Sequence, residues 1–286
     1  MRLRIIDAFT DRPFAGNPAG VCLLEEPAPQ AWMSSVAAEL NLSETAFAVP
    51  TGPGRWDLRW FTPTTEVDLC GHATLATAHA LHSDGVAGPY SFVTRSGELR
   101  AQVAADGTVR LDFPAQPTSP LSPELTGPLV EHLEAALGVH PEEVESNGID
   151  VVVRISDEGH VRALSADTAA LAAVDARCVI VTAAVERRPL AEDVVLGGDA
   201  PDAGGVPDAV SRVFCPRVGV PEDPVTGSAH CALGPFWAQR LGRTELEFHQ
   251  VSRRGGRLAV RVLGERVELA GRAVTVLDGE LAAGPR

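Results

Sequence analysis

Glu66-Val-Asp-Leu-Cys-Gly-His-Ala73 and Glu222-Asp-Pro-Val-Thr-Gly-Ser-Ala229 read as two copies of one element. Each places a glycine, then a small or polar residue, at the mouth of an alanine-rich helix. At a constant offset (222 − 66 = 156), Glu66 falls on Glu222, Gly71 on Gly227, Ala73 on Ala229 and Ala76 on Ala232. Further on, Phe92 falls on Phe248, and Gly97-Glu-Leu99 resembles Gly256-Arg-Leu258 after a small gap. The order, helix and then glycine-punctuated strands, is the same in both copies and points to an internal duplication. The first N–H groups of a helix have no partner within it. Two such helix starts that converge form one anion site, and that arrangement suits a small carboxylate.

A chain of 286 residues with a 45% hydrophobic fraction has enough apolar material for about two domains of ordinary size. The net charge of −14 disfavours nucleic acid and anionic membranes as partners, since both require clustered cations. All 24 residues counted as lysine plus arginine are arginine. Without lysine there is no Schiff base for pyridoxal-phosphate chemistry and no Walker A loop. The five cysteines, Cys22, Cys70, Cys178, Cys215 and Cys231, are odd in number and irregular in spacing, with no Cys-x-x-Cys. This pattern predicts neither a disulfide framework nor a zinc ribbon and fits a reducing, cytoplasmic compartment. The opening Met1-Arg-Leu-Arg-Ile-Ile-Asp7 lacks the apolar core of a signal peptide, and no stretch is apolar enough to span a bilayer.

Along the chain, Leu3–Ala8 and Val21–Leu24 read as strands around a turn-rich loop, Phe14–Gly20. Trp32–Leu40 has helical spacing, and Ala46–Val49 and Asp57–Phe61 read as strands. Gly71–Leu81 is the first alanine-rich helix. Strands follow at Tyr90–Thr94, Glu98–Val103 and Thr108–Phe113, the last two joined by an Asp106-Gly107 hairpin turn. Pro114, Pro117, Pro120 and Pro123 recur every third residue and predict an extended, poorly packed linker. The domains are therefore expected at 1–113 and 129–286, with a linker at 114–128 and the last residues as candidates to return to the first half. In the second half, Leu129–Leu137 reads as helix, Val151–Ile155 and Cys178–Ala183 as strands, and Gly197–Ala209 as a mobile loop. Gly227–Leu241 is the second helix. Strands at Glu247–Ser252, Arg257–Leu263, Arg266–Leu269 and Val274–Leu277 follow it. The predicted class is α+β: two pseudo-symmetric halves, each a curved, mostly antiparallel sheet around a central helix too apolar to be exposed.

Four segments in order, Ala8-Phe-Thr-Asp-Arg-Pro-Phe-Ala-Gly-Asn-Pro18, Asn41-Leu-Ser-Glu-Thr45, Cys70-Gly-His-Ala-Thr74 and Glu222-Asp-Pro-Val-Thr-Gly-Ser228, resemble those of the PhzF-like isomerase family, which shares the diaminopimelate epimerase fold. The resemblance implies two similar halves with an active site in the cleft between them, no metal or organic cofactor, and a homodimer. By residue match it implies Glu44 as the acid/base, His72 and Asp223 as further catalytic residues, and Gly71, Gly227, Ser228 and Asn17 as substrate-binding residues.

Each candidate has a plainer alternative. Glu44 lies before the apolar run Ala46–Val49, and a partly desolvated carboxylate titrates in the range a proton shuttle needs; it is otherwise a turn carboxylate. His72 opens a helix, whose positive end favours the neutral imidazole that polarises a carbonyl; it is otherwise a cap. Asp223 precedes Pro224 in extended backbone and orients substrate or base, or is a turn aspartate. His72, His79 and His82 lack the spacing of a zinc site, so no metal is expected. Related epimerases use a thiol on each face of the substrate carbon. Cys70 matches the first thiol, but its counterpart at 226 (70 + 156) is threonine, and Cys231 lies a turn inside its helix. The leading reading is a cofactor-independent isomerase moving a proton within a small carboxylate-bearing metabolite. The alternatives are an epimerase or racemase using Glu44 with Cys70, and a catalytically silent small-acid-binding protein.

Overall fold

A helix that is apolar around its whole circumference has to be enclosed, and two such helices organise the strands of this chain. The computed structural model describes residues 1–186 and 205–285. The first part of the chain forms β1 (Arg2–Ala8), β2 (Asn17–Leu23), α1 (Gln30–Leu40), β3 (Glu44–Gly52), β4 (Arg55–Phe61), β5 (Glu66–Val67), α2 (Gly71–Ser83), β6 (Tyr90–Thr94), β7 (Gly97–Val103) and β8 (Val109–Pro114). Next come β9 (Ser119–Pro120), α3 (Pro123–Leu137), β10 (Glu143–Ser146), β11 (Val151–Arg154), α4 (Glu158–Ala163), α5 (Thr168–Leu171), β12 (Val179–Ala184) and β13 (Ala209–Cys215). The chain ends with β14 (Val220–Asp223), α6 (Gly227–Leu241), β15 (Glu245–Gln250), β16 (Gly256–Leu263), β17 (Arg266–Gly271) and β18 (Ala273–Glu280).

Strand pairing repeats. Through β1-β2-β3-β4-β6-β7-β8 it runs antiparallel, parallel, antiparallel, parallel, antiparallel, antiparallel. Through β10-β11-β12-β13-β15-β16-β17 the same sequence recurs. The short strands β5 and β14 pair antiparallel with β4 and β13, at matching places just ahead of α2 and α6. The fold is therefore α+β, with two pseudo-symmetric halves. They join where β8 pairs antiparallel with β17, and the strand that follows each of these two crosses to the other half: β9 pairs with β10, and β18 pairs with β1.

The main core surrounds both helices, with Leu75 and Leu81 of α2 and Leu233, Phe236 and Trp237 of α6 among its members. A second core lies beneath α3, α4 and α5, around Leu133, Val153, Val181 and Phe214. A third lies beneath α1, around Met33, Phe47 and Phe61. Helix α6 carries Pro235 in its interior, which removes the hydrogen bond to the carbonyl of Cys231. The backbone N–H of Gln116 donates to that carbonyl at 2.9 Å, so the connecting segment satisfies the orphaned group. Next to it, Gly234 lets α6 settle on β16: a Cβ there would lie 2.7 Å from Cγ1 of Val260, a stiff β-branched side chain. Gly234→Ala is expected to destabilise the fold by about 1–3 kcal/mol through overpacking, read as a lower midpoint in urea with unchanged slope.

Three sequence expectations differ from the structure. The extended stretch is shorter than the proline spacing suggests: Pro114 ends β8, Ser119–Pro120 is paired, and Pro123 opens α3, where its missing N–H is no loss. Ser122 precedes it in extended backbone, as a helix start requires. Secondly, Cys178 and Cys215 form a disulfide. The register Val179↔Phe214 of β12 and β13 places these two cysteines opposite each other, and cysteine spacing carries no information about register. Thirdly, β10, β13 and the short helices α4 and α5 were not anticipated. The predicted loop at 197–209 falls largely outside the described residues, and its last residue, Ala209, opens β13. Among the described residues no helix is long and apolar enough to cross a membrane.

Candidate active site

The two glycines that open the duplicated helices touch. A Cβ on Gly71 would lie 3.4 Å from Cα of Gly227, and the reverse distance is also 3.4 Å. The heads of α2 and α6 thus meet, and their first amides, those of Gly71, His72, Gly227 and Ser228, have no carbonyl within their own helices to bond. Positive helix ends and unpaired donors in one place suit an anion.

Glu44 is the first residue of β3, a strand held parallel to β2 through Ala19. Its carboxylate Oε2 lies 3.3 Å from Nε2 of His72, the second residue of α2. The contact is close but off the line of a hydrogen bond, so this buried nitrogen has no aligned protein partner. On the other side of the ring, Nδ1 is 3.5 Å from Sγ of Cys70. Burial pushes His72 down to about 3, so the imidazole is neutral at physiological pH. It also pushes the Cys70 thiol well up, and the nearby Glu44 charge adds to that. Glu44 itself is lifted to about 7, first by desolvation and then by the charge of Asp223, while hydrogen bonding to Cys70 opposes the rise. A carboxyl with that midpoint accepts and releases a proton near neutrality.

Asp223 ends β14 in the other half and lies close enough for its charge to act on Glu44. Desolvation raises it to about 6, opposed by its hydrogen bonds to Thr226 and Asn17. Asn17 Nδ2 donates to Asp223 Oδ1 and to the carbonyl of Val225, both at 2.9 Å. Asn17 is fully buried, so its amide braces Asp223 and both its donors are engaged within the protein. The Thr226 hydroxyl donates to Asp223 Oδ2. Gln250, fully buried on β15, accepts from the Thr226 N–H at 2.9 Å and donates to the Asp223 carbonyl at 2.7 Å. Ser228 is half-buried at the head of α6.

The sequence-derived candidates Glu44, His72, Gly71, Gly227 and Asp223 accordingly lie together. Thr226 and Gln250 were not singled out. The 156-residue offset pointed to Thr226 as the counterpart of Cys70, whereas nothing local marks Gln250. Glu44, Cys70 and His72 place a carboxylate oxygen, a sulfur and a ring nitrogen within 4.8 Å of one another, a set able to hold a metal ion. Binding there would require the thiolate, which burial strongly disfavours. Two surface cavities, of about 390 and 420 Å³, lie along β15, β16 and β17 and include none of Glu44, His72 or Asp223. Two carboxyls raised toward neutrality, a neutral imidazole and two helix heads converge around Glu44 instead, the kind of clustering that marks a candidate site.

A family model described as phenazine biosynthesis-like protein matches residues 6–279. An uncharacterised isomerase of Pseudomonas aeruginosa is 46% identical over 278 residues, covering 96% of each chain. Among solved structures, a PhzF-family phenazine biosynthesis protein of Enterococcus faecalis superposes with a TM-score of 0.84 at 39% identity, covering 99% of each chain. A hydroxyproline epimerase of Agrobacterium vitis superposes with a TM-score of 0.54 at 13% identity over 98% of this chain and 91% of its own, which shows a shared fold.

Proposed function

Because the chain belongs to the phenazine biosynthesis-like family, and is by that membership an isomerase, we propose that it moves a proton within a small carboxylate-bearing metabolite, with no cofactor. Glu44 takes the proton from a carbon made acidic by conjugation and returns it to another carbon of the same molecule. The substrate carboxylate sits on the amides of Gly71, His72, Gly227 and Ser228. Neutral His72 donates to the charge that develops on the substrate, a role in which preorganised donors contribute most. Asp223, held by Asn17 and Thr226, orients the substrate. The observation that carries this reading is the Glu44 carboxyl, raised to about 7 beside His72 at the point where the two helix heads meet.

The test is proton exchange. Small unsaturated carboxylic acids selected by thermal shift are incubated with the protein in deuterated water and followed by NMR. Deuterium entering one carbon as a double bond moves supports the reading. Inversion at a tetrahedral carbon supports an epimerase instead, and tight binding without exchange a silent binding protein. The two-thiol epimerase has little support here. Thr226 occupies the second thiol's place, and the Cys231 thiol is buried inside α6, donating to the Gly227 carbonyl at 3.6 Å. Activity is expected to survive exhaustive chelation and desalting in full. Loss on chelation, restored by one specific metal, would reassign Glu44, Cys70 and His72 as ligands.

A further inference from the structure

Cys70 and Thr226 occupy equivalent places. Each is the residue immediately before a helix-opening glycine, and each has extended backbone, with φ −146° and ψ 110° at Cys70 and φ −112° and ψ 100° at Thr226. A residue in that position ordinarily turns its side chain onto the helix amides as a cap. Neither does so. The Thr226 hydroxyl donates instead to Asp223. Its direction is set by Gln250, whose Nε2 donates to Thr226 Oγ1 at 3.3 Å and leaves the hydroxyl hydrogen for the carboxylate. The Cys70 thiol lies 3.5 Å from Nδ1 of His72 and within 4.8 Å of a Glu44 carboxylate oxygen.

We propose that Cys70 and Thr226 are paired positioning residues, each using its one hydrogen to hold one cleft carboxylate, Glu44 or Asp223, ionised and oriented. This rests on the reading of Glu44 as the base. For Cys70 two routes lead to the same result. A thiol that donates directly to Glu44 stabilises the carboxylate. A thiol that donates to Nδ1 of His72 puts the ring proton on Nε2, 3.3 Å from the Glu44 carboxylate, where it favours the charge electrostatically although the contact is off the line of a hydrogen bond. Burial keeps the thiol protonated, as a donor requires. The charged and titratable groups acting on Glu44 are Asp223, His72 and Cys70. The charged groups acting on Asp223 are Glu222, which opposes its ionisation, and Arg177, which favours it. Arg177 is itself bonded to Asp150, and Glu222 to Arg212, so neither takes over the role of Thr226.

The experiment uses the full chain without substrate, labelled with ¹³C at the glutamate and aspartate carboxyls and titrated by NMR. Glu44 and Asp223 are identified by the signals lost in Glu44→Gln and Asp223→Asn. Cys70→Ala is expected to move the Glu44 midpoint upward by about one pH unit, the size of one charge-assisted hydrogen bond, and Cys70→Ser to restore it. Thr226→Val, equal in volume, is expected to do the same to Asp223, and Thr226→Ser to restore it. Cys70→Val replaces Cys70→Ala if the smaller side chain prevents folding. A residue that merely packs would change stability and leave both midpoints in place, so unchanged midpoints in Cys70→Ala and Thr226→Val, or serine variants that fail to restore them, overturn the proposal. Proton exchange by Glu44→Gln is read separately. Midpoints that move while that variant still exchanges protons leave the donors assigned and remove Glu44 as base. Lost exchange with unmoved midpoints does the reverse.

Discussion

Glu44→Gln is expected to lose about 10²–10⁴-fold in turnover, the usual worth of a general acid/base, while folding normally. The amide keeps the size of the side chain and its ability to accept from Cys70, and it removes basicity alone. The same variant is expected to be more stable than the parent at alkaline pH. In the folded protein the Glu44 midpoint stands at about 7, above the ordinary glutamate value of 4.5. Its side chain is 18% exposed, so solvent screens it little. Between those two pH values the native state holds a proton that the unfolded chain has released, so stability declines as pH rises through that window. The full cost, ~3 kcal/mol, is present above pH 7 and absent below the unfolded midpoint. Glutamine does not ionise and escapes it. Urea denaturation at pH 4.5 and pH 8 should therefore show the variant's advantage at the higher pH. Deuterium exchange on an identified substrate should show its loss of activity. A variant with near-parental exchange would remove Glu44 as the base.

What the sequence displays and what it conceals divide by distance along the chain. The duplicated glycine-headed helices are legible because each is a local pattern of identities: a small residue, a helix start, an alanine-rich run. That pattern placed Gly71 opposite Gly227, and their contact follows from two helices enclosed in one core. A return of the last residues to the first half is expected from the sequence, but the pairing of β9 with β10 and the partner and register of β18 are not legible. β18 pairs with β1 across nearly the whole chain, and a strand's alternation does not name its partner. The Cys178–Cys215 disulfide is hidden for the same reason, since it depends on register. Pro123 misled because proline in an extended run and proline at the first position of a helix look alike until the following residues are weighed. At the site, Glu44, His72 and Asp223 stand in recognisable motifs. Gln250 stands in an unremarkable strand, 24 residues beyond the Thr226 N–H that it accepts from. The sequence shows Thr226 as the counterpart of Cys70, where it reads only as a missing thiol. Its hydroxyl gained a meaning once Asp223 was seen to lie within reach of it.

Below neutrality the rate is expected to fall, by at most about 50-fold between pH 7 and pH 5 for a base with its midpoint at about 7, because the base has to be ionised to accept a proton. The limb belongs to a carboxyl. His72 sits at about 3 and stays neutral throughout that range, so its ionisation contributes nothing there. Asp223, at about 6, titrates within the limb and is coupled to Glu44, so the apparent midpoints belong to the pair. Protonating Asp223 removes the neighbouring charge that raises Glu44 and makes Glu44 easier to ionise. The limb should therefore be shallower near pH 6 in the parent than in Asp223→Asn, where that neighbour is neutral at every pH and the limb shifts downward as a single titration. Temperature separates the possible owners. A carboxyl's midpoint hardly moves on warming, whereas an imidazole's falls clearly. Measured as kcat/KM, which reports the protein before substrate binds, a limb near 7 that stays in place on warming supports Glu44. A profile flat from pH 5 to 8, or a limb that moves with temperature as an imidazole does, would transfer the base role away from this carboxyl.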